Sequence, residues 1–85
     1  MKSLTTSKFW RAYASLPPEI KREAKKAFLL WKNNSQHPSL YFKKVKANLW
    51  SVRVTGDYRA LALKKGSDYY WIWIGSHSEY DRLLK

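Results

Sequence analysis

The apolar residues of this chain pass from a helical to a strand period between Asn33 and Pro38, and that change confines it to few folds. Before it, Ile20, Ala24, Ala27, Phe28 and Trp31 fall at i, i+4, i+7, i+8 and i+11, the stripe of a helix with one buried side. After it, Trp50, Val52 and Val54 alternate with Ser51, Arg53 and Thr55, the mark of a half-buried strand. Helices first and strands afterwards make an α+β domain rather than alternating α/β units.

Local signals set the boundaries. Thr6 can cap a short helix from about Ser7 to Ala14, with Phe9 and Tyr13 on its buried side. Leu16-Pro17-Pro18 ends it and opens a second helix that runs to about Asn33, because proline in a first helical turn loses no hydrogen bond. Asn33-Asn34-Ser35 and His37-Pro38 stop that helix. Leu40 to Lys46 alternates weakly. Gly56-Asp57 is a turn, and Tyr58 to Lys64 a strand with Leu61 and Leu63 on one face. Lys65-Gly66-Ser67-Asp68 is a second hairpin turn, and Tyr69 to Ile74 is apolar on both faces, as a covered strand is. Ser76 with Glu79 three residues on forms a capping box for a last helix reaching Leu84, with Tyr80, Leu83 and Leu84 as its apolar face. Residues 1–85 therefore predict a single α+β domain: an N-terminal helical hairpin packed on a three- to four-stranded antiparallel sheet, with a short C-terminal helix. The hairpin covers one sheet face and leaves the other for basic residues.

Charge narrows the partners. Seventeen Lys+Arg stand against six Asp+Glu, a formal net charge of +11. A disordered basic tail is excluded, because 45% of the residues are hydrophobic and can fill a core. Cysteine is absent, which excludes a disulfide-stapled domain. The longest apolar run, Tyr69 to Gly75, is far short of the ~20 residues a membrane span needs. Met1-Lys2-Ser3-Leu4-Thr5-Thr6 carries no apolar signal-peptide region. The expectation is a small cytoplasmic domain with a polyanionic partner and no membrane.

Three constellations could carry chemistry. Lys43, Lys44, Lys46, Arg53 and Arg59 come from consecutive strands and can converge on one sheet surface, where lysine offers a point charge and arginine a bidentate fork to phosphate. The plain alternative for the lysines is a solvated face. Arg59 shares the parity of Leu61 and Leu63, and simple alternation would bury it, so a strand-end position or a bulge has to free it. His77 follows Gly75-Ser76 at a strand end and can exchange a proton near neutral pH, or serve as a cap. Tyr80, three residues on, shares a helical face with it and either packs on the sheet or joins the chemistry. No metal site and no cofactor are expected: His77, Glu79 and Asp81 alternate along a helical segment, and Glu79 serves the capping box. The basic outer side of the second helix, with Lys21, Arg22, Lys25, Lys26 and Lys32, reads as the exposed face of an amphipathic helix or as a further nucleic-acid contact.

With these residues in view, the chain resembles the RelE/ParE superfamily of type II toxin–antitoxin toxins. Phe9-Trp10 and Leu16-Pro17-Pro18-Glu19-Ile20 resemble its N-terminal hairpin. Trp50-Ser51-Val52-Arg53-Val54 and Gly56-Asp57-Tyr58-Arg59-Ala60-Leu61 resemble its paired strands, and Ile74 to Asp81 its last strand and terminal segment. The family's N-terminal strand is short or absent here, with only Lys2 to Thr5 to form it. The resemblance implies a metal-independent endoribonuclease (mRNA interferase) that cuts messenger RNA on the ribosome and inhibits translation. It matches Arg59 to the arginine that stabilises the reacting phosphate. His77 matches an acid–base position, Tyr80 the C-terminal tyrosine, and Lys43, Lys44 and Lys46 the basic strand. Arg53 adds a second cation to the catalytic set. The resemblance also implies an acidic antitoxin encoded by an adjacent gene. The superfamily includes toxins that trap DNA gyrase without nuclease activity, and an inactive basic domain that only binds nucleic acid or antitoxin is a third reading.

Overall fold

One hydroxyl starts the first helix and fastens it to the sheet. Thr6 Oγ1 accepts the backbone N–H of Phe9 at 3.2 Å and donates to the carbonyl of Trp71 at 2.9 Å. The computed structural model describes residues 2–85. It runs β1 (Ser3–Thr5), α1 (Ser7–Ala14), α2 (Pro18–Asn33), a 3-10 turn at Pro38–Leu40, β2 (Lys43–Lys46), β3 (Leu49–Thr55), β4 (Tyr58–Lys65), β5 (Asp68–Ser76) and α3 (His77–Leu83). No described helix is long and apolar enough to cross a membrane.

The sheet has five strands in the order β1-β5-β4-β3-β2. Strands β2 to β5 form the antiparallel meander, but β1 joins β5 in parallel, with Ser3 opposite Tyr69 and Thr5 opposite Trp71. The expected three- to four-stranded antiparallel sheet is thus a five-stranded mixed one. Three residues are too few to carry a period. What recruits them is the edge of β5, whose backbone groups need partners. Tyr69 N–H donates to the carbonyl of Lys2 at 2.8 Å, and Trp71 Nε1 donates to Ser3 Oγ at 2.8 Å.

The main core lies between α1, α2 and one sheet face. Trp31, 1% exposed, is its centre. The rings of Phe28, Phe42, Tyr69 and Trp71 surround it, and the last three meet it edge-on. Val52, Ala60, Ala62, Trp71 and Ile74 floor the cluster. Small side chains on β4 leave room for the Trp31 indole over the sheet and for Trp71 beside them on β5.

Strand β4 corrects the expected parity. Ala60 and Ala62 face the helices, so Arg59, Leu61 and Leu63 face away from them. Leu61 is nevertheless only 3% exposed: it lies outside the main cluster, on the face where α3 packs against β4 and β5. Arg59 therefore needs no bulge in its own strand. Register shifts do occur in both neighbouring strands: in β3 between Arg53 and Thr55, and in β5, where Leu61 stands opposite Trp73 but Ala62 opposite Trp71. Ile72 is the extra residue, and it moves the core-facing set from Tyr69 and Trp71 to Ile74. This is why the run looks apolar on both faces. At α3, Tyr80 is buried but Leu83 is 54% exposed, so the expected apolar face of that helix rests mainly on Tyr80.

Candidate active site

Arg53 and Arg59 are direct cross-strand partners on the face opposite the helical hairpin. Two like charges so placed repel each other, so other groups must hold them. Arg59 Nη1 donates to three carbonyls of the β3–β4 turn: Thr55 at 2.7 Å, Tyr58 at 3.0 Å and Gly56 at 3.3 Å. The Arg53 guanidinium lies over the ring of Tyr41, 5.3 Å from its centroid. Its Nη2 also stands beside Gly56, 3.5 Å from where a β-carbon on that residue would sit. Among the described residues ion pairs form only at Lys26–Glu23 and His77–Asp81, so neither arginine has a carboxylate. Two fixed cations without a counter-ion make an anion site.

The imidazole of His77 arrives from the end of the neighbouring strand, β5, at the first residue of α3. Ser76 caps α3 with the full capping box: Glu79 N–H donates to Ser76 Oγ at 3.3 Å, and Ser76 N–H donates to Glu79 Oε1 at 3.4 Å, which also accepts from Ser76 Oγ at 3.0 Å. His77 N–H donates to the carbonyl of Asp57 at 2.7 Å, so the start of α3 is tied to the turn that grips Arg59. Asp81 Oδ2 stands 3.3 Å from His77 Nδ1. The two residues are i,i+4, so the carboxylate and the imidazole share one face of α3. Tyr80 meets the imidazole edge-on at 5.8 Å and is itself 8% exposed.

These side chains surround one cavity of about 340 Å³. Arg53, Arg59, His77 and Tyr80 line it with Lys43, and Tyr41 and Ser51 complete the wall. The structure does not bring Lys44 and Lys46 there. Lys43 pairs with Ser51 on the site face, Lys44 pairs with Trp50 on the helix face, and Lys46 pairs with Leu49 after an irregularity at Val45. Alternation alone divides Lys43 from Lys44. The metal-like spacing of His77, Glu79 and Asp81 is also split, since Glu79 turns to Ser76 and Asp81 to His77.

Sequence reasoning missed Tyr41 and Ser51. Ser51 was within reach, having the parity of Arg53 beside core-facing Trp50 and Val52. Tyr41 had no signal, because its place depends on a left-handed backbone, φ 44° and ψ 44°, that no pattern announces. A separate apolar cleft lies between α1, α2 and the sheet, lined by Phe9, Trp10, Tyr13, Phe28 and Trp31 among others. Lys25 is the one cation among its lining residues.

Comparison with known proteins follows this geometry. A family model for the ParE-like toxin domain matches residues 18–82. No curated protein matches the chain significantly. Among solved structures, a chain of the RelB-RelE antitoxin-toxin complex from Methanococcus jannaschii superposes with a TM-score of 0.76 at 20% identity, covering 96% of this chain and 99% of that one. YafQ from E. coli gives a TM-score of 0.74 at 10% identity, covering 93% and 96%. The YoeB/ParE toxin from Agrobacterium tumefaciens gives 0.68 at 19% identity, covering 91% and 99%. At such identities the likeness is one of fold.

Proposed function

Because the chain belongs to the family of ParE-like toxin domains, we propose that it is the toxin of a type II toxin–antitoxin pair and that it cuts messenger RNA on the ribosome. The observation that carries this reading is the cavity in which two carboxylate-free arginines meet an imidazole with the Asp81 carboxylate 3.3 Å from its Nδ1. RNA cleavage asks for that set. The 2′-oxygen attacks the adjacent phosphorus, the bond to the 5′-oxygen breaks, and a 2′,3′-cyclic phosphate and a 5′-hydroxyl result. The net proton movement is from the 2′-hydroxyl to the departing 5′-oxygen, and in this reading the His77 imidazole carries it. Arg59 and Arg53 stabilise the extra charge on the phosphoryl oxygens, and the bonds from Arg59 Nη1 to the turn leave little reorganisation for the reaction to drive. Lys43 adds a further positive charge for the RNA backbone. Lys44 and Lys46 serve at most its outer course.

The antitoxin follows from the same charge. A net +11 calls for an acidic chain that covers this face at rest. Solved relatives of this fold include antitoxin-toxin complexes from Methanococcus jannaschii and Mycobacterium tuberculosis, which supports that partner.

Induced expression of the wild type should arrest growth with messenger cleavage. Arg59→Ala should slow cleavage by about 10²–10³-fold, the loss typical of a transition-state donor. His77→Ala should slow it by about 10²–10⁴-fold, the range of acid–base catalysis. Circular dichroism should report an unchanged fold in both. Full toxicity in both variants sinks the proposal. DNA breaks with translation intact would replace it by gyrase trapping.

A further inference from the structure

Tyr41 is a large side chain in an expensive place with no task in the core. Its neighbours explain the backbone. Leu40 is 2% exposed, and Phe42 packs on Trp50 at 4.8 Å and on Trp31 at 5.5 Å. Holding both inward drives Tyr41 into the left-handed region, at φ 44°. Glycine or asparagine suits that region, and a bulky residue there is a genuine outlier of the kind that gathers at functional sites. The ring repays nothing to the core, since Tyr41 is 60% exposed. Its recorded partner is the Arg53 guanidinium, 5.3 Å from the centroid, and it lines the same cavity as Arg59 and His77.

We propose that Tyr41, backed by Arg53, is a stacking platform for one unpaired nucleobase next to the phosphate held by the arginines. The proposal rests on reading this face as an RNA site, but not on cleavage. An aromatic ring with a cation on one face and solvent on the rest is how single-stranded RNA is held, because every base has a π-face and no hydrogen-bond pattern is required. The phosphate cavity fixes the register, and the ring at its wall then meets a flanking base. The platform selects single-stranded over duplex RNA, whose bases are not free to stack.

The test uses a short single-stranded RNA made uncleavable by a 2′-deoxy substitution at the cleavage position. A 2-aminopurine is walked through the flanking positions. Wild-type protein should quench the fluorescence at one position. Tyr41→Phe and Tyr41→Trp should keep that quenching. Tyr41→Ala and Tyr41→Asn should lose it and bind about ten-fold more weakly, in line with one lost base stack. The dependence of binding on salt should stay as in the wild type. Thermal unfolding of Tyr41→Asn at or above the wild-type temperature shows that the loss is not one of folding. Quenching that persists in Tyr41→Ala and Tyr41→Asn overturns the proposal. So does wild-type binding with no quenched position, an absence of RNA binding, or a loss confined to binding of an acidic peptide. Quenching by a protein that never cuts RNA leaves the platform standing and removes the nuclease reading. Normal cleavage by Tyr41→Ala and Tyr41→Asn does the reverse.

Discussion

Gly75 has no room for a side chain. A β-carbon there would stand 2.3 Å from Cζ2 of Trp73, whose indole lies across it. Gly75 is also the cross-strand partner of Arg59, so a shift in β5 is felt by the site. Gly75→Ala should cost about 1–3 kcal/mol, the range for forcing atoms into a packed position. For a domain this small each 1 kcal/mol lowers the melting temperature by about 4–8 °C. The strain is pairwise, so in a Trp73→Ala background the same substitution should cost little; a double-mutant cycle of thermal melts measures the difference. An additive cycle would place the cost elsewhere. Single residues also mark what the sequence could tell. Arg53 was legible because core-facing Trp50, Val52 and Val54 fixed its parity. Arg59 was legible as a charge but not as a direction. Leu61 and Leu63 look like the core face of β4, and only the structure shows that Ala60 and Ala62 take that role beneath Trp31 and beside Trp71. Hydrophobicity ranked the leucines first; room for two indoles decided the matter.

At the scale of the element, α3 is seven residues long, too short to persist on its own side-chain preferences. It holds by its capping box, the bond from His77 N–H to Asp57, and the burial of Tyr80. Removing the cap should therefore loosen the platform that presents His77. Ser76→Ala should destabilise by about 1 kcal/mol and lower cleavage through a less fixed imidazole, while Ser76→Thr keeps both. Chemical denaturation together with single-turnover RNA cleavage reads the two effects. A stability loss with undiminished cleavage would separate the cap from the chemistry. The capping box was legible because it is local, as were Thr6 and Leu16-Pro17-Pro18 at the helix boundaries. Strand β1 and the bulge at Ile72 were not. A three-residue strand exists only because β5 offers an edge, and a bulge only because β4 sets the register. Both are properties of a pair of segments, which one segment's pattern does not contain. The site divides the same way. Lys43, Arg53, Arg59, His77 and Tyr80 meet at one cavity, whereas the grouping of Lys44 and Lys46 with them ignored the parity of β2.

Over the whole molecule, salt should act in two opposite directions. The net charge of +11 repels itself, and among the described residues the one Lys/Arg–carboxylate ion pair, Lys26–Glu23, lies at exposed positions. Added monovalent salt screens that repulsion and should raise the melting temperature. The same salt should weaken RNA binding, with log K falling by about 0.7 per phosphate contact for a single strand. Substitutions on the two faces separate these effects. Arg22→Gln with Lys25→Gln on the exposed side of α2 removes self-repulsion far from the cavity. It should raise the melting temperature and leave the RNA salt slope unchanged. Arg53→Gln with Arg59→Gln should reduce the slope by about 1.4, two contacts at the single-strand value. Filter binding across a salt series, beside thermal melts in the same buffers, gives both readouts. If the α2 pair reduces the slope as much as the cavity pair, RNA reads the charge of the whole molecule, and the face opposite the helical hairpin has no special claim on it. If only the cavity pair does so, the excess charge divides by face: the α2 share acts as a general field that an acidic partner relieves, and the sheet share grips phosphate in register beside His77.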